Sequence, residues 1–247
     1  MLIRYTLRLR TDLRCHPDPA WSYRLYAALL EDAPAAFGVR AHRDAVTPVS
    51  QFLSVGETGL IWYVTLLGEE SRQALDPILA ASTEFCLKRD RVTMYIVGRQ
   101  REQIPDVETL FEKCADSSGR HRLQFCTPTA FKSRGQYRIL PTTRLLLQSL
   151  FKKWNGCFPD CPIEDEDGEG MEAMADGLLC SRFALHDQMY HLKGKRIPGF
   201  VGSMTLENHL SGFQRELADA LLLFAGYAGA GIKTTLGMGG VAHRLLP

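Results

Sequence analysis

The densest group of residues that could do chemistry lies at 226–240, in the sequence GYAGAGIKTTLGMGG, here called the glycine-rich loop. Six of these fifteen residues are glycine, which indicates a backbone that bends sharply or closely approaches another group. Lys233, Thr234 and Thr235 stand at the centre, where one ammonium, two hydroxyls and backbone N–H groups could face a phosphate. The pattern predicts an anion-binding loop, with an ordinary turn as the alternative.

Two common nucleotide-binding motifs do not fit this loop. A P-loop needs glycine directly before lysine, but Ile232 separates Gly231 from Lys233. A dinucleotide fingerprint needs glycine at the sixth position from Gly229, where Thr234 stands. These mismatches count against a nucleotide-binding protein, which remains a rival interpretation.

The loop spacing does match another pattern: glycine–small–glycine at 229–231, five residues, then glycine–hydrophobic–glycine at 237–239. It resembles the C-terminal loop of the CRISPR-associated endoribonucleases that process precursor CRISPR RNA, within the repeat-associated mysterious protein superfamily. The resemblance covers 123–241 in the family's order, through FCTPTAFK at 125–132, Pro141, LLLQSLFKKWN at 145–155 and GFVG at 199–202.

This resemblance implies an enzyme that cuts RNA with no metal ion and no cofactor. The 2′-hydroxyl upstream of the scissile phosphate attacks it, leaving a 2′,3′-cyclic phosphate and a 5′-hydroxyl. The reaction needs a base, an acid and hydrogen-bond donors for the phosphorane. Histidine suits the first two roles because its pKa lies near neutrality.

Among seven histidines, the resemblance selects His42, which follows the first predicted helix in the segment RAHRD. The family's catalytic histidine occupies that place, and a tyrosine on the first helix commonly assists it, in a position comparable to Tyr26. The family often supplies a lysine soon after the histidine; here Arg43 is the nearest cation that could stabilise phosphate charge. Without the resemblance, an exposed loop histidine is the favoured interpretation of His42.

The resemblance also assigns RNA binding to the glycine-rich loop, through Gly229, Gly231, Lys233, Thr234, Thr235, Gly237 and Gly239. A second basic run offers Lys132 and Arg134, with Phe131 and Tyr137 available for base stacking. The alternative for that run is a solvated hairpin tip.

Charge is unevenly distributed along the chain. Net charge is +1, but the segment 160–177 holds eight acids and no lysine or arginine. The other 229 residues carry 29 basic and 20 acidic side chains, a balance of +9 that could bind a polyanion. Because its charge opposes RNA binding, we expect the acidic segment to lie away from the RNA and to be mobile.

The sequence favours a cytoplasmic protein. The start, MLIRYTLRLR, alternates arginine with apolar residues instead of forming a signal peptide, and no apolar run is long enough to span a bilayer. Seven scattered cysteines indicate reduced thiols, and the resemblance implies a prokaryotic cell.

Hydrophobic periodicity predicts the order βαββαβ twice, an α+β protein of two tandem ferredoxin-like (RRM-like) domains, as the resemblance also implies. In the first half we expect strands at 2–10, 47–54, 60–67 and 92–104 and helices at 20–31 and 71–83. In the second half we expect strands at 121–131, 178–186, 191–205 and 238–246 and helices at 142–154 and 212–224. The polar link at 116–120 divides the domains as 1–117 and 118–247.

These inferences predict a metal-independent endoribonuclease that cleaves CRISPR repeat transcripts. The rival is a protein of the same fold that binds repeat RNA without cutting it, as a structural subunit of a CRISPR effector complex. The expected partners are therefore repeat RNA and an effector complex, with a homodimer left open and no membrane.

Overall fold

The first half of the chain forms a five-stranded antiparallel sheet of order β2-β3-β1-β5-β4 in a computed structural model that describes residues 1–11, 18–38, 48–56, 59–88 and 91–247. Its strands are β1 (Leu2–Thr11), β2 (Val49–Gly56), β3 (Gly59–Leu67), β4 (Glu84–Leu87) and β5 (Val92–Ile104). Helix α1 (Ser22–Glu31) precedes β2, and α2 (Glu69–Ala81) follows β3. Without the short β4, this is the ferredoxin-like strand order.

Alternation along β1 places one set of side chains in the core of this domain. Tyr5, Leu7 and Leu9 are buried, whereas Arg8 and Arg10 are exposed. On α1, Leu25 and Leu29 lie four residues apart and are both fully buried against the sheet. The helix is therefore fixed on the sheet by its apolar face.

The second half repeats the topology in a four-stranded antiparallel sheet of order β11-β6-β10-β9. Its strands are β6 (Arg120–Thr129), β9 (Leu178–Leu192), β10 (Lys195–Asn208) and β11 (Val241–Leu245), with a hairpin of β7 (Phe131–Ser133) and β8 (Gln136–Arg138). Its helices are α4 (Thr143–Cys157), α5 (Glu169–Gly177) and α6 (Gly212–Ala228), and α3 (Val107–Glu112) lies in the link between the sheets. The predicted tandem ferredoxin-like fold is confirmed.

Some element boundaries differ from the expected ones. The turn between β9 and β10 lies at Lys193 and Gly194, so the expected break between a strand at 178–186 and a strand at 191–205 is wrong. His191 lies inside β9 and pairs with Arg196 of β10. The last strand begins at Val241 and not Met238, because the residues before it belong to the loop. The division at residue 117 stays a prediction, and the second sheet begins at Arg120.

The acidic segment is not a mobile insert over 169–177, where it forms α5. Met174 and Ala175 are buried in the core of the second domain, and Met171 packs beside them, at helical spacing. The Asp165 carboxylate accepts hydrogen bonds from the backbone N–H groups of Gly170 and Met171, both at 3.0 Å. An apolar stripe between acidic residues thus anchors the segment.

The two domains share buried side chains. Leu2, Leu67 and Ile104 of the first domain belong to the same hydrophobic cluster as Phe125 and Leu147 of the second. Burial of this kind resists relative motion of the two domains. In the part of the chain that the structure describes, no helix is long and apolar enough to cross a membrane.

Candidate functional site

A groove of ≈ 1240 Å³ runs between the two domains. Its walls come from α1, the β7–β8 hairpin, α4 and the glycine-rich loop. Five of the chain's eight lysines line it: Lys132, Lys152, Lys153, Lys193 and Lys233. Among the described lining residues Glu31 is the only acid, and its carboxylate pairs with Lys88 at 2.6 Å. The groove is therefore electropositive and suited to a polyanion.

The glycine-rich loop fills the seam between the domains. Gly237 has φ +95°, and a Cβ built there would overlap the Ser22 hydroxyl on α1. Gly231 has φ +74°, and a Cβ there would overlap the Ala130 carbonyl oxygen that precedes the hairpin. Glycine is needed at both positions because the backbone is left-handed and touches a neighbouring element.

Most backbone N–H groups of the glycine-rich loop bind other parts of the protein. The N–H of Gly231 donates to Ser149 Oγ at 2.8 Å, and that of Gly239 donates to the Pro128 carbonyl at 3.1 Å. The N–H of Gly229 continues α6 by donating to the Ala225 carbonyl at 2.9 Å. These donors are not free for a phosphate, so the loop first serves to join structural elements.

The polar centre of the loop is divided between the protein interior and the groove. Thr234 is buried, and its Oγ1 accepts a hydrogen bond from Lys153 Nζ at 2.8 Å. Thr235 is tied to β2, since its carbonyl accepts from Gln51 Nε2 at 2.8 Å and its hydroxyl donates to the Val49 carbonyl at 3.3 Å. Lys233 is exposed and lines the groove, so its side chain is accessible to a ligand there, and its contact with RNA stays a prediction.

Lys153 is a functional candidate that sequence reasoning missed. Its ammonium donates to the Ala228 carbonyl at the end of α6, at 2.9 Å, as well as to Thr234. Burial lowers the pKa of Lys153 to about 7. The signal was present, because Lys153 falls on the apolar face of α4 with Leu150 and Trp154.

Tyr26 lies where the prediction needs it, on α1 and in the wall of the groove. Its Oη is buried and has no hydrogen-bond partner among the described residues. Burial raises the pKa of this hydroxyl, so it is a proton-bearing donor at neutral pH. An unpaired buried hydroxyl is costly unless a ligand pairs with it, which makes Tyr26 a candidate substrate contact.

His42 and Arg43 lie outside the described residues. Gly38, the last described residue before His42, lines the groove. The catalytic assignment of His42 and Arg43 stays a prediction.

The hairpin places its basic residues at the mouth of the groove. Lys132 lines the groove itself, and Arg134 lines an adjoining cavity of ≈ 350 Å³ with Arg138 and Arg144. Tyr137 is exposed and remains available to stack on a base. Phe131 is not available, because it is 3% exposed in the core against Phe200; that part of the prediction is wrong.

Comparison with known proteins identifies the family. The family model described as CRISPR-associated endoribonuclease Cas6 matches residues 123–241. The CRISPR-associated endoribonuclease Cas6 of Mycobacterium tuberculosis is 33% identical over 252 residues, covering 97% of this chain and 77% of that protein. Its counterpart from Streptococcus thermophilus is 25% identical over 228 residues, covering 92% of each chain. A solved Cas6 product complex shares the fold, with a TM-score of 0.78 at 22% identity over 99% of this chain and 100% of that chain. The chain therefore belongs to the CRISPR-associated endoribonuclease Cas6 family.

Proposed function

We propose that this protein cleaves CRISPR repeat transcripts into guide RNAs by a metal-independent transesterification. The observation that carries the proposal is the groove, which is lined by five lysines and by Tyr26, whose hydroxyl has no partner among the described residues, and which is large enough for several nucleotides. A polyanion neutralises the lysines, and a phosphate or ribose oxygen pairs with the hydroxyl. Family membership supports RNA cleavage as the reaction.

The reaction is an in-line displacement at phosphorus. A base removes the proton of the 2′-hydroxyl, the O2′–P bond forms, the P–O5′ bond breaks, and an acid protonates the leaving O5′. We assign the base or acid to His42, because the ordinary pKa of a histidine side chain suits proton transfer near pH 7. Tyr26 orients a phosphate oxygen or the histidine, and Arg43 offsets charge on the phosphorane.

Lys233, Lys132 and Arg134 hold the RNA backbone on either side of the scissile phosphate. These contacts read no base edges, so they contribute affinity and register. Tyr137 on the exposed hairpin offers a ring for one unstacked base. The effector complex and the homodimer stay predictions.

The test is cleavage of the repeat RNA in EDTA, followed by analysis of the product ends. We expect full activity in EDTA. The 5′ product fragment should resist polyadenylation until its cyclic phosphate is removed. The 3′ product fragment should be phosphorylated by polynucleotide kinase and ATP without pretreatment, because it begins with a 5′-hydroxyl. RNA with a single 2′-deoxynucleotide before the scissile bond is the matched control and should bind but not react. Loss of activity in EDTA, restored by a divalent metal, would overturn the metal-free mechanism.

His42→Ala separates catalysis from binding. It should slow single-turnover cleavage by roughly 10²–10⁴-fold, as expected for loss of a general acid or base, with little change in RNA affinity. Unchanged single-turnover cleavage would move the role to another group.

A further inference from the structure

We propose that Lys153 forms an anion subsite in the wall of the groove, that it receives one phosphate of the RNA, and that binding there takes up a proton. The proposal rests on the proposed function for the identity of the anion and on this structure for the subsite itself. It is carried by two buried donors whose residues line the same groove.

The first donor is the Lys153 ammonium. The residue is only 9% exposed yet lines the groove. An ammonium has three N–H bonds, and two of them are used by the Ala228 carbonyl and Thr234 Oγ1. The described residues offer no acceptor for the third and no carboxylate within ion-pair distance, so the positive charge has no counterion of its own.

The second donor is the Tyr26 hydroxyl from the other domain. Tyr26 is 5% exposed, lines the same groove, and has no partner among the described residues. A phosphate oxygen accepts hydrogen bonds from both an ammonium and a phenol. A buried ammonium with one unused N–H and a buried hydroxyl without a described partner, on the two sides of one groove, are therefore complementary to an anion.

The other charged groups that face this space reinforce the choice of ligand. The described titratable groups of the lining are Lys132 on the hairpin, Lys152 on α4, Lys193 at the β9–β10 turn, Lys233 in the loop, and Tyr23, Tyr26 and Glu31 on α1. Since Glu31 is held by Lys88, no described acid of the lining is free to neutralise Lys153. A bound anion would be the nearest negative charge.

This arrangement couples binding to protonation. Burial holds the pKa of Lys153 at about 7 in the empty groove, so the amine is largely neutral at pH 8. A phosphate in contact favours the charged form and raises the pKa. Above neutral pH, binding of the anion therefore requires that the Lys153 amine takes up a proton. The affinity for the anion should then fall by up to about tenfold per pH unit.

The first experiment needs no RNA. The full chain is labelled with 13C at lysine Cε, which gives eight signals, and is titrated by NMR with and without sodium sulfate, a dianion throughout. The Lys153 signal, assigned by its loss in Lys153→Met, should titrate near neutral pH and move upward by at least one pH unit in saturating sulfate. The signal of the exposed neighbour Lys152 is the matched control and should respond to pH in the same way with and without sulfate. A Lys153 midpoint that sulfate does not move would overturn the subsite.

The second experiment uses repeat RNA made uncleavable by a 2′-deoxynucleotide. Calorimetry at pH 8 in buffers of different ionisation enthalpy should show close to one more proton taken up by the wild type than by Lys153→Met. Lys152→Met should retain the uptake, although it also removes a groove lysine. Equal uptake by wild type and Lys153→Met would contradict the coupling. If the repeat RNA does not bind at all, the proposed function fails, while the sulfate titration still decides the subsite.

Discussion

The hydroxyls of Ser22 and Tyr190 meet at 3.1 Å across the two domains, beneath the glycine-rich loop. Tyr190 also donates to the Leu236 carbonyl at 2.6 Å, so one buried phenol joins α1, β9 and the loop. Ser22 lies one helical turn before Tyr26 on the same face of α1. The position of the candidate catalytic tyrosine is therefore set by a contact from the second domain.

Gly237→Ala should break this contact. The methyl group would overlap Ser22 Oγ and lie close to Tyr190 Oη, at a left-handed φ of +95°. We expect a loss of unfolding free energy of roughly 2–5 kcal/mol, combining about 1–2 from backbone strain and 1–3 from overpacking. The matched control is Gly59→Ala, where φ is +100° and nothing lies within 4 Å. Equal losses in urea denaturation of the two variants would show that the Ser22 contact is unimportant.

Lys233→Ala tests the loop as an RNA contact. Its exposed ammonium faces the groove, so its loss should reduce the slope of log affinity against log salt by about 0.7–0.9. Lys113→Ala, which removes an exposed lysine outside the lining, is the control and should leave the slope unchanged. Filter binding at four salt concentrations measures both. Identical slopes for both variants would place Lys233 outside the RNA interface.

The fold was predictable because its main elements obey simple periods. Tyr5, Leu7 and Leu9 alternate along β1, and Leu146 and Leu150 repeat along α4. The position of the β9–β10 turn was not predictable from the alternation of apolar and polar residues. Most of β9 is exposed on both faces as the edge of its sheet, so it shows no alternation, and the turn uses Lys193 and Gly194 at φ 49° and 78°. A lysine there gives a weaker turn signal than asparagine.

The site was predictable only in part. Glycine spacing identified the loop, and the family resemblance selected Tyr26 on the first helix. What the glycines contact depends on long-range packing, and the partner atoms of Gly231 and Gly237 come from Ala130 and Ser22, far away in sequence. Lys153 was missed because a lysine on an apolar helix face indicates a functional role only when the groove that it lines is known.

Tyr26→Phe should separate catalysis from stability. The Oη has no partner among the described residues, so deleting it removes a buried unsatisfied group and should leave the free energy of unfolding unchanged or slightly higher. Single-turnover cleavage should slow, because the substrate loses a donor, though by less than in His42→Ala. Tyr137→Phe, on the exposed hairpin, is the control for loss of a phenol. A Tyr26→Phe protein that is clearly less stable would mean the hydroxyl is bonded in solution.

The buried His121 and its half-buried neighbour His243 predict acid sensitivity. His121 Nε2 lies 2.8 Å from Asp219 Oδ1, and its Nδ1 lies 2.9 Å from His243 Nε2. Burial, and then the neighbouring His121, lowers the pKa of His243 from 6.5 to about 3. The unfolded chain binds a proton at this residue below pH 6.5 and the folded chain does not until about pH 3, so stability falls with acid in that window.

His243→Gln should weaken the dependence of the free energy of unfolding on pH in this acidic window. The difference in unfolding free energy between wild type and variant should change by up to about 1.4 kcal/mol per pH unit within the window. His209→Gln, which removes an exposed histidine, should leave the wild-type profile intact. Denaturant titrations from pH 4 to pH 7 measure all three proteins, and parallel curves for wild type and His243→Gln would refute the assignment.

Lys153 predicts a dependence of the same sign at alkaline pH. Its pKa is lowered by burial from 10.5 to about 7, so between these values the unfolded chain carries a proton that the folded chain lacks. Raising the pH removes that proton from the unfolded chain and so destabilises the unfolded state. The free energy of unfolding of the wild type should therefore rise by up to about 1.4 kcal/mol per pH unit relative to that of Lys153→Met. Urea denaturation at pH 7, 8, 9 and 10, without RNA or sulfate, measures the difference. Lys152→Met should follow the wild type because the Lys152 side chain is exposed to solvent in the folded chain. A constant difference between wild type and Lys153→Met across this range would mean that Lys153 stays charged in the folded protein, and the coupling of anion binding to proton uptake would then fail with it.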